Sequence, residues 1–555
     1  LTCYEGVEPE RFGVKVISIV PNFEPGRDAI LVMGIDERLV KTGPVAGCSG
    51  SPVYIQGRLA GALAFGWNLS KDPLYGVTPI RQMLEVGRDG TVDKDKASPV
   101  CSWDFSKPID LARLPATGIL QRPIAGPARP VPSSLLVWGM PVGAVEHLAG
   151  LFSNAGMDLA VTAVGSSSND LAGSHVQLAP GAAMMIPLVD GDVRVAVLGT
   201  VTAVDEDKVY AFGHSLLGYG PVELPMATAR IHTVVSNLSQ SFKIGSPIEV
   251  VGALTVDDAR GVLGQIGATA KTIPMEVQIH HFHQSQSRTF RCRLASHKAL
   301  TPQLVRSVLN GTTQYFGDLP PDHSISYKGL VLLEGGAALR FANVSSGNSV
   351  AELLSECTGA VSLLMDNPFR PIQIDRMEFS VDISNRNRLA SIYSVEVADR
   401  RVRPGQQLQV KVVLESYPSV KRQYRFTLQV PKQTQPGQYN LSVCGSYEYL
   451  AYLRRVAPHR FVVTDSTDLI KAIDYLLNIR RDRLYCILEL QQGGIAIERH
   501  ELPDLPATKA LILDAATRTI PVEPMRAWVE SSVDTDTITE DKETIKIIVE
   551  GPESE

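Results

Sequence analysis

Near both ends of the chain apolar and polar residues alternate with a period of two. In FGVKVISIV, Val14, Val16 and Val20 share one phase, broken only by Ser18, while Ile17 and Ile19 fall on the other. That pattern predicts a strand. AILVMGI follows a turn at Pro25-Gly26, and SPVYIQGRLAGALAFGW reads as two short apolar strands around Gln56-Gly57. Further on, DVRVAVLGTVTAV and KVYAFGH are two strands joined by Asp205-Glu206-Asp207, and Asp190-Gly191-Asp192 marks another hairpin turn. LQVKVVLE alternates at Leu408, Val410, Val412 and Leu414, and YRFTLQV at Tyr424, Phe426, Leu428 and Val430. With Pro404-Gly405 and Pro436-Gly437 as bounding turns, this region is expected to be an immunoglobulin-like sandwich.

Helical spacing is read in three places, and 286–388 is otherwise a mixture that periodicity does not resolve. Val145, Leu148, Leu151 and Phe152 line one face of a segment that Gly156 would stop, and Leu469, Ile470, Ile473, Leu476 and Leu477 line another. A third helix is expected to start with Thr301 as N-cap and Pro302 in its first turn, and to end near Asn310-Gly311. Prolines at 108, 115, 123, 127, 130 and 132 mark an extended linker, since each removes a backbone donor. The end of the chain, TITEDKETIKIIVEGPESE, reads as an acidic solubilising tail around one amphipathic strand.

Composition narrows the class. At roughly 150 residues per domain, 555 residues make three or four units. A hydrophobic content of 44% and a charged content of 20% are those of a soluble globular protein. The formal charge of -6 comes without a Lys/Arg block, which argues against a nucleic-acid partner. No run approaches the roughly 18 apolar residues of a membrane span. The seven cysteines are scattered without a CxxC pair, so they fit neither zinc nor a dense disulfide framework, and one or two disulfides stay open. Leu1-Thr2-Cys3 lacks the length of a lipidation box. A first residue of Leu is read as a processed or trimmed start, with any export signal upstream.

Chemistry concentrates at VAGCSGSPVY, Val45 to Tyr54. Glycines on either side of a serine let the backbone turn sharply, so that the Gly47 and Ser49 amides converge on a developing oxyanion. Such a donor is worth roughly 3 to 4 kcal/mol. On its own a Gly/Ser/Pro run is most often only a turn. IHHFH sets His281 and His283 on one strand face and His280 on the other, but no cysteine or carboxylate completes a ligand set. A polar strand face is expected there, and neither a metal nor a cofactor.

Context adds to the motif. LVKTGPVAGCSGSPVYIQGRLAGALAFGW, followed by DPLYGVTPIRQML, resembles the nucleophile segment of the SpoIVB-type serine peptidases of the chymotrypsin-like clan, with Cys48 where that family has Met. GTVTAVDEDKVYAFGHSLLGYGPVELP, with the later SFKIGSP, resembles the family's histidine segment. The resemblance implies Ser49 as nucleophile and His214 as general base. Asp36, in Asp36-Glu37-Arg38-Leu39, would be the orienting acid, and the Gly47 and Ser49 amides the oxyanion hole. The order of the segments departs from the family's, in which the histidine comes first. A permuted arrangement keeps the geometry, because a triad is defined in space and not along the chain.

The expected fold is mainly β, with a chymotrypsin-like paired β-barrel unit built from two separated segments. Residues 1–100 would carry the serine-bearing half, 101–134 the proline-rich linker and 135–285 the histidine-bearing half. A mixed β-rich region at 286–388, an immunoglobulin-like sandwich at 389–463 and a small α+β unit with an acidic tail at 464–555 would follow. The expected activity is that of a serine endopeptidase of the bacterial envelope, periplasmic or secreted, acting on protein or peptide substrates. The alternative is a non-catalytic scaffold that keeps the fold and binds envelope proteins through its C-terminal β domains.

Overall fold

Alternation becomes pairing in the computed structural model, which describes every residue except 68–69, 71, 88–102, 105–128, 132, 155–158, 165–175, 239, 348–349, 498–499, 503–521 and 552–555. Most of the proline-rich linker therefore lies outside the described residues. The chain is mainly β, with 53% in strands against 17% in helices.

The first sheet has the order β1 (Val14–Glu24), β2 (Arg27–Gly34), β6 (Leu74–Pro79), β5 (Arg58–Gly66) and β4 (Pro52–Ile55). Val32, Val53, Leu63, Tyr75 and Val77 form its core. β1 is an edge strand on which Val14 and Val20 are half-buried, Val14 against this core, while Val16, Ile17 and Ile19 stay exposed. Gln56 and Gly57 close the β4–β5 hairpin with positive φ at both positions, the geometry a two-residue connection requires. A short helix that the pattern did not announce, α1 (Glu37–Thr42), leads into β3 (Val45–Ala46).

β3 belongs to a second sheet. It pairs in parallel with the start of the strand Ser241–Asp258, inside a 14-stranded sheet that runs on to Ala338–Ser346. This sheet corrects the boundary expected at 285/286. Arg288–Ala295 pairs with both Thr272–His281 and Ala183–Gly191, and Ile374–Ser384 lies parallel to Thr272–His281. Helices Leu300–Thr313 and Val350–Met365 bury apolar faces in the same core. The first of them begins one residue before Thr301, whose hydroxyl accepts from the His297 amide and donates to the Ala295 carbonyl.

The C-terminal region is a two-layer β unit. Val402, Leu408, Val410, Val412, Leu414, Phe426 and Leu428 pack against Leu441, Val443, Leu484, Cys486, Leu488 and Ile547. Its boundary differs from the one expected at 463/464. Gly437–Cys444 pairs with Arg483–Ile497 on one side and Lys542–Val549 on the other, so strands from both sides of that line share one sheet. The amphipathic strand expected within the acidic tail, Lys542–Val549, is thus an inner strand of this sheet.

Among the described residues six cysteines, Cys3, Cys48, Cys292, Cys357, Cys444 and Cys486, are free and buried, and Cys101 lies outside them. No helix among the described residues is long and apolar enough to cross a membrane. No group of three metal-ligating side chains occurs there either, and His281 is buried at a strand end with its Nδ1 accepting from the His283 amide.

Candidate active site

Ser49 lies at the seam of the two sheets. The chain leaves the large sheet at β3, makes the turn Gly47–Ser51 and enters the small sheet at β4. Within the turn the Cys48 and Ser51 amides donate to the Val45 and Cys48 carbonyls, both at 3.0 Å, and the Gly50 amide reaches Leu63 O at 2.8 Å. These bonds do not use the Gly47 and Ser49 amides, the pair expected to hold an oxyanion. Gly47 (φ 88°) and Gly50 (φ 92°) supply the left-handed conformations that a residue with a side chain resists.

The turn is clamped onto the strand Arg194–Asp205. Ser49 O accepts from the Thr200 amide at 2.9 Å, while the Thr200 and Thr202 hydroxyls donate to Gly47 O (3.0 Å) and Gly50 O (2.7 Å). Behind the turn, the fully buried Lys243 donates to Thr2 Oγ1 at 2.6 Å, and that hydroxyl lies 3.4 Å from Thr200 Oγ1. Polar side chains thus line the back of the turn from Lys243 to the Gly47 carbonyl.

His214 reaches the same seam from the large sheet. The strand Lys208–Ala211 ends in Phe212 (φ 66°) and Gly213 (φ 68°). Positive φ at a bulky aromatic residue is strained; the fully buried Phe212 ring holds it in place. Phe212 also touches the serine turn, because a Cβ on Gly50 would lie 2.5 Å from the Phe212 nitrogen. From the small sheet, Thr78 Oγ1 donates to Gly213 O at 2.6 Å and Arg27 Nη2 to the same oxygen at 3.4 Å. The structure therefore brings the Ser49 turn and the Gly213-His214 pair, distant in sequence, into one packed unit.

Asp36 lies elsewhere, which corrects its expected role. It is the N-cap of α1, accepting from the Arg38 amide at 3.0 Å. An aspartate just before a helix is drawn to the unpaired amides of the first turn. His214 Nδ1 instead lies 2.8 Å from the Ser215 carbonyl oxygen. A carbonyl can only accept, so Nδ1 carries the proton of this bond and Nε2 is left as the basic nitrogen.

Both side chains are buried, Ser49 completely and His214 to 4% exposure. Ser49 Oγ has no hydrogen-bond partner among the described residues. The turn that carries Ser49 and the loop that carries His214 thus meet at a closed seam through Gly50 and Phe212. Residues that sequence reasoning did not single out include Thr78 and Lys243, which lie within the quoted segments DPLYGVTPIRQML and SFKIGSP, and Arg27 and Asp257, which lie in ordinary strands with no motif around them.

The loop after His214 also faces the rest of the large unit. Tyr219 packs on His297 with the rings tilted by 34° and their centroids 4.6 Å apart, and His297 Nδ1 accepts from the Ala299 and Leu300 amides. Burial, helped by the charge of Lys298, pushes the His297 imidazole down to about 4. The folded state thus holds its proton less tightly than the unfolded chain does, at about 6.5. The stabilisation is complete above that value and falls as pH drops from about 6.5 to about 4, by on the order of 3 kcal/mol. His297→Asn keeps an acceptor for the amides and should flatten that part of the pH–stability curve; urea melts at pH 7 and 5 measure it, and an unchanged slope would refute the assignment.

Set against family models, curated proteins and solved structures, the chain matches none.

Proposed function

We propose that the chain is a serine endopeptidase of the SpoIVB-like type, exported to the bacterial envelope, with its site at rest in a closed form. The observation that carries this reading is the meeting of the Ser49 turn and the Gly213-His214 loop at one seam, with Nδ1 turned to Ser215 and Nε2 left basic. The two sheets are read as a permuted version of the chymotrypsin-like pair of barrels, and the C-terminal two-layer unit as immunoglobulin-like.

On opening, Ser49 Oγ attacks the scissile carbonyl while its proton passes to His214 Nε2, and the Gly47 and Ser49 amides receive the oxyanion. Collapse expels the amine, which takes that proton and leaves Ser49 acylated. A water then gives its proton to the same nitrogen, its oxygen forms the acid product, and the proton returns to Ser49. A fluorophosphonate probe tests the first half. The native chain should be labelled, Ser49→Ala not at all, and His214→Ala at least about a hundredfold more slowly. Labelling is expected to be slow even in the native chain, because only the open fraction reacts.

The second reading, a non-catalytic scaffold that binds envelope proteins, is favoured by the complete burial of Ser49. It takes over if the folded native chain remains unlabelled after long exposure to the probe.

A further inference from the structure

Asp257 is a buried carboxylate that no ion pair among the described residues explains. It lies near the end of the strand Ser241–Asp258, 1% exposed. Its Oδ1 accepts from the Leu216 amide at 2.7 Å, and its Oδ2 from the Leu217 and Gly218 amides at 2.6 and 2.7 Å. Three successive amides converging on one anion form a nest of the kind that binds phosphate or carboxylate groups; here the occupant comes from the same chain. Burial pushes this carboxyl up in pKa, and the Leu217, Leu216, Gly218 and Tyr219 amides pull it back.

We propose that Asp257 is the positioning residue of the site: by holding the loop immediately after Ser215 it fixes the Ser215 carbonyl, which in turn sets the tautomer and orientation of His214. The inference rests on the peptidase reading and deepens it. The task expected of Asp36 is divided in two, a backbone carbonyl meeting the imidazole and a carboxylate anchoring that backbone. The anchor works from one side only. On the other side of His214, Thr78 and Arg27 hold the Gly213 carbonyl, so the histidine sits between two fixed points. A hydrogen bond to a charged acceptor is about twice as strong as a neutral one, which is why a carboxylate suits a loop that must hold one conformation.

The test uses the full chain. In the native protein the Leu216, Leu217 and Gly218 amides should exchange with solvent at least a hundredfold more slowly than in an unfolded peptide. The His214 Nδ1 proton should be visible by NMR on histidine-labelled protein. Asp257→Asn is the informative variant, since its amide group puts a donor opposite at least one donor of the nest. It should broaden or erase the Nδ1 signal and slow labelling of Ser49 at least tenfold, while the amide-exchange pattern of the C-terminal β unit is retained. A native-like Nδ1 signal and labelling rate in the variant would overturn the proposal. Fast exchange of the three amides in the native protein would overturn it too, even if the variant does not fold. If the native chain is never labelled, the peptidase reading fails, yet the exchange and Nδ1 signals still decide whether Asp257 holds His214.

Discussion

Gly50→Ala should abolish the reactivity of Ser49 and destabilise the N-terminal unit by at least about 3 kcal/mol, whereas Gly47→Ala should cost about 1 to 2 kcal/mol. Both glycines have positive φ, 92° and 88°, so a strain of about 1 to 2 kcal/mol is common to the two. The surroundings separate them. A Cβ on Gly50 would lie 2.0 Å from the Thr200 carbonyl oxygen and 2.5 Å from the Phe212 nitrogen, both backbone atoms. Neither can withdraw without breaking the clamp that joins the serine turn to the histidine strand. A Cβ on Gly47 would meet the Ser134 Oγ at 3.2 Å and the Leu198 side chain at 3.3 Å, and side chains can rotate by a few tenths of an ångström. Urea unfolding gives the stabilities, and probe labelling per folded molecule gives the reactivity. Equal costs for the two substitutions would show that the Gly50–Phe212 contact is not what joins the halves of the site.

The strands of this chain were legible because their signal is local. Leu408, Val410, Val412 and Leu414 point to one side of one strand and are buried there, as an alternating run must be to gain anything from its pattern. Membership of sheets was not legible. Nothing in Arg483–Ile497 or Lys542–Val549 states that their partner is Gly437–Cys444, because alternation specifies a face and not a neighbour. The unit boundaries at 285 and 463 failed for that reason. α1 escaped notice because six residues give less than two turns of periodicity, too few to tell from a loop.

The site divides in the same way. Ser49 and His214 announced themselves through glycine-rich surroundings, since a backbone that must turn sharply leaves a mark in sequence. Asp257 left none, and Thr78 and Thr200, though inside quoted segments, were not told apart from their neighbours, because all three act on backbone carbonyls and amides distant in sequence, and any strand supplies such groups. Asp36 misled for a physical reason. Aspartate before a helical turn is favoured as a cap wherever it occurs, so its presence near a nucleophile carried little information about catalysis.

Arg481→Met should destabilise the junction between the large sheet and the C-terminal β unit by about 3 to 5 kcal/mol, the cost of stranding one partner of a buried ion pair. Arg481 is 7% exposed. Its guanidinium bonds to Glu356 on the helix Val350–Met365, to Tyr327 OH at 3.0 Å, to Val344 O at 3.3 Å and to Tyr447 OH at 3.2 Å, and its amide donates to Asn343 Oδ1 at 2.9 Å. Tyr327, Asn343, Val344 and Glu356 belong to the large unit and Tyr447 to the helix Ser446–Val456, which follows the β-unit strand Gly437–Cys444, so the arginine ties the two together. Burial already pushes the Glu356 carboxyl up, and the Arg481 charge is what pulls it back. Without that charge Glu356 must take a proton to stay buried. A carboxyl raised in the folded state lowers stability as pH rises, so the deficit of Arg481→Met should be largest near neutral pH and shrink towards about pH 4.5. Arg481→Met with Glu356→Gln removes the more buried of the two carboxylates that Arg481 faces, leaving the half-buried Glu352 at 3.8 Å, and should recover at least half of the loss at pH 7. Urea midpoints for the two variants at pH 7 and 4.5 check both statements. A deficit independent of pH, or a double variant no more stable than the single one, would mean that Arg481 contributes through packing of its stem alone.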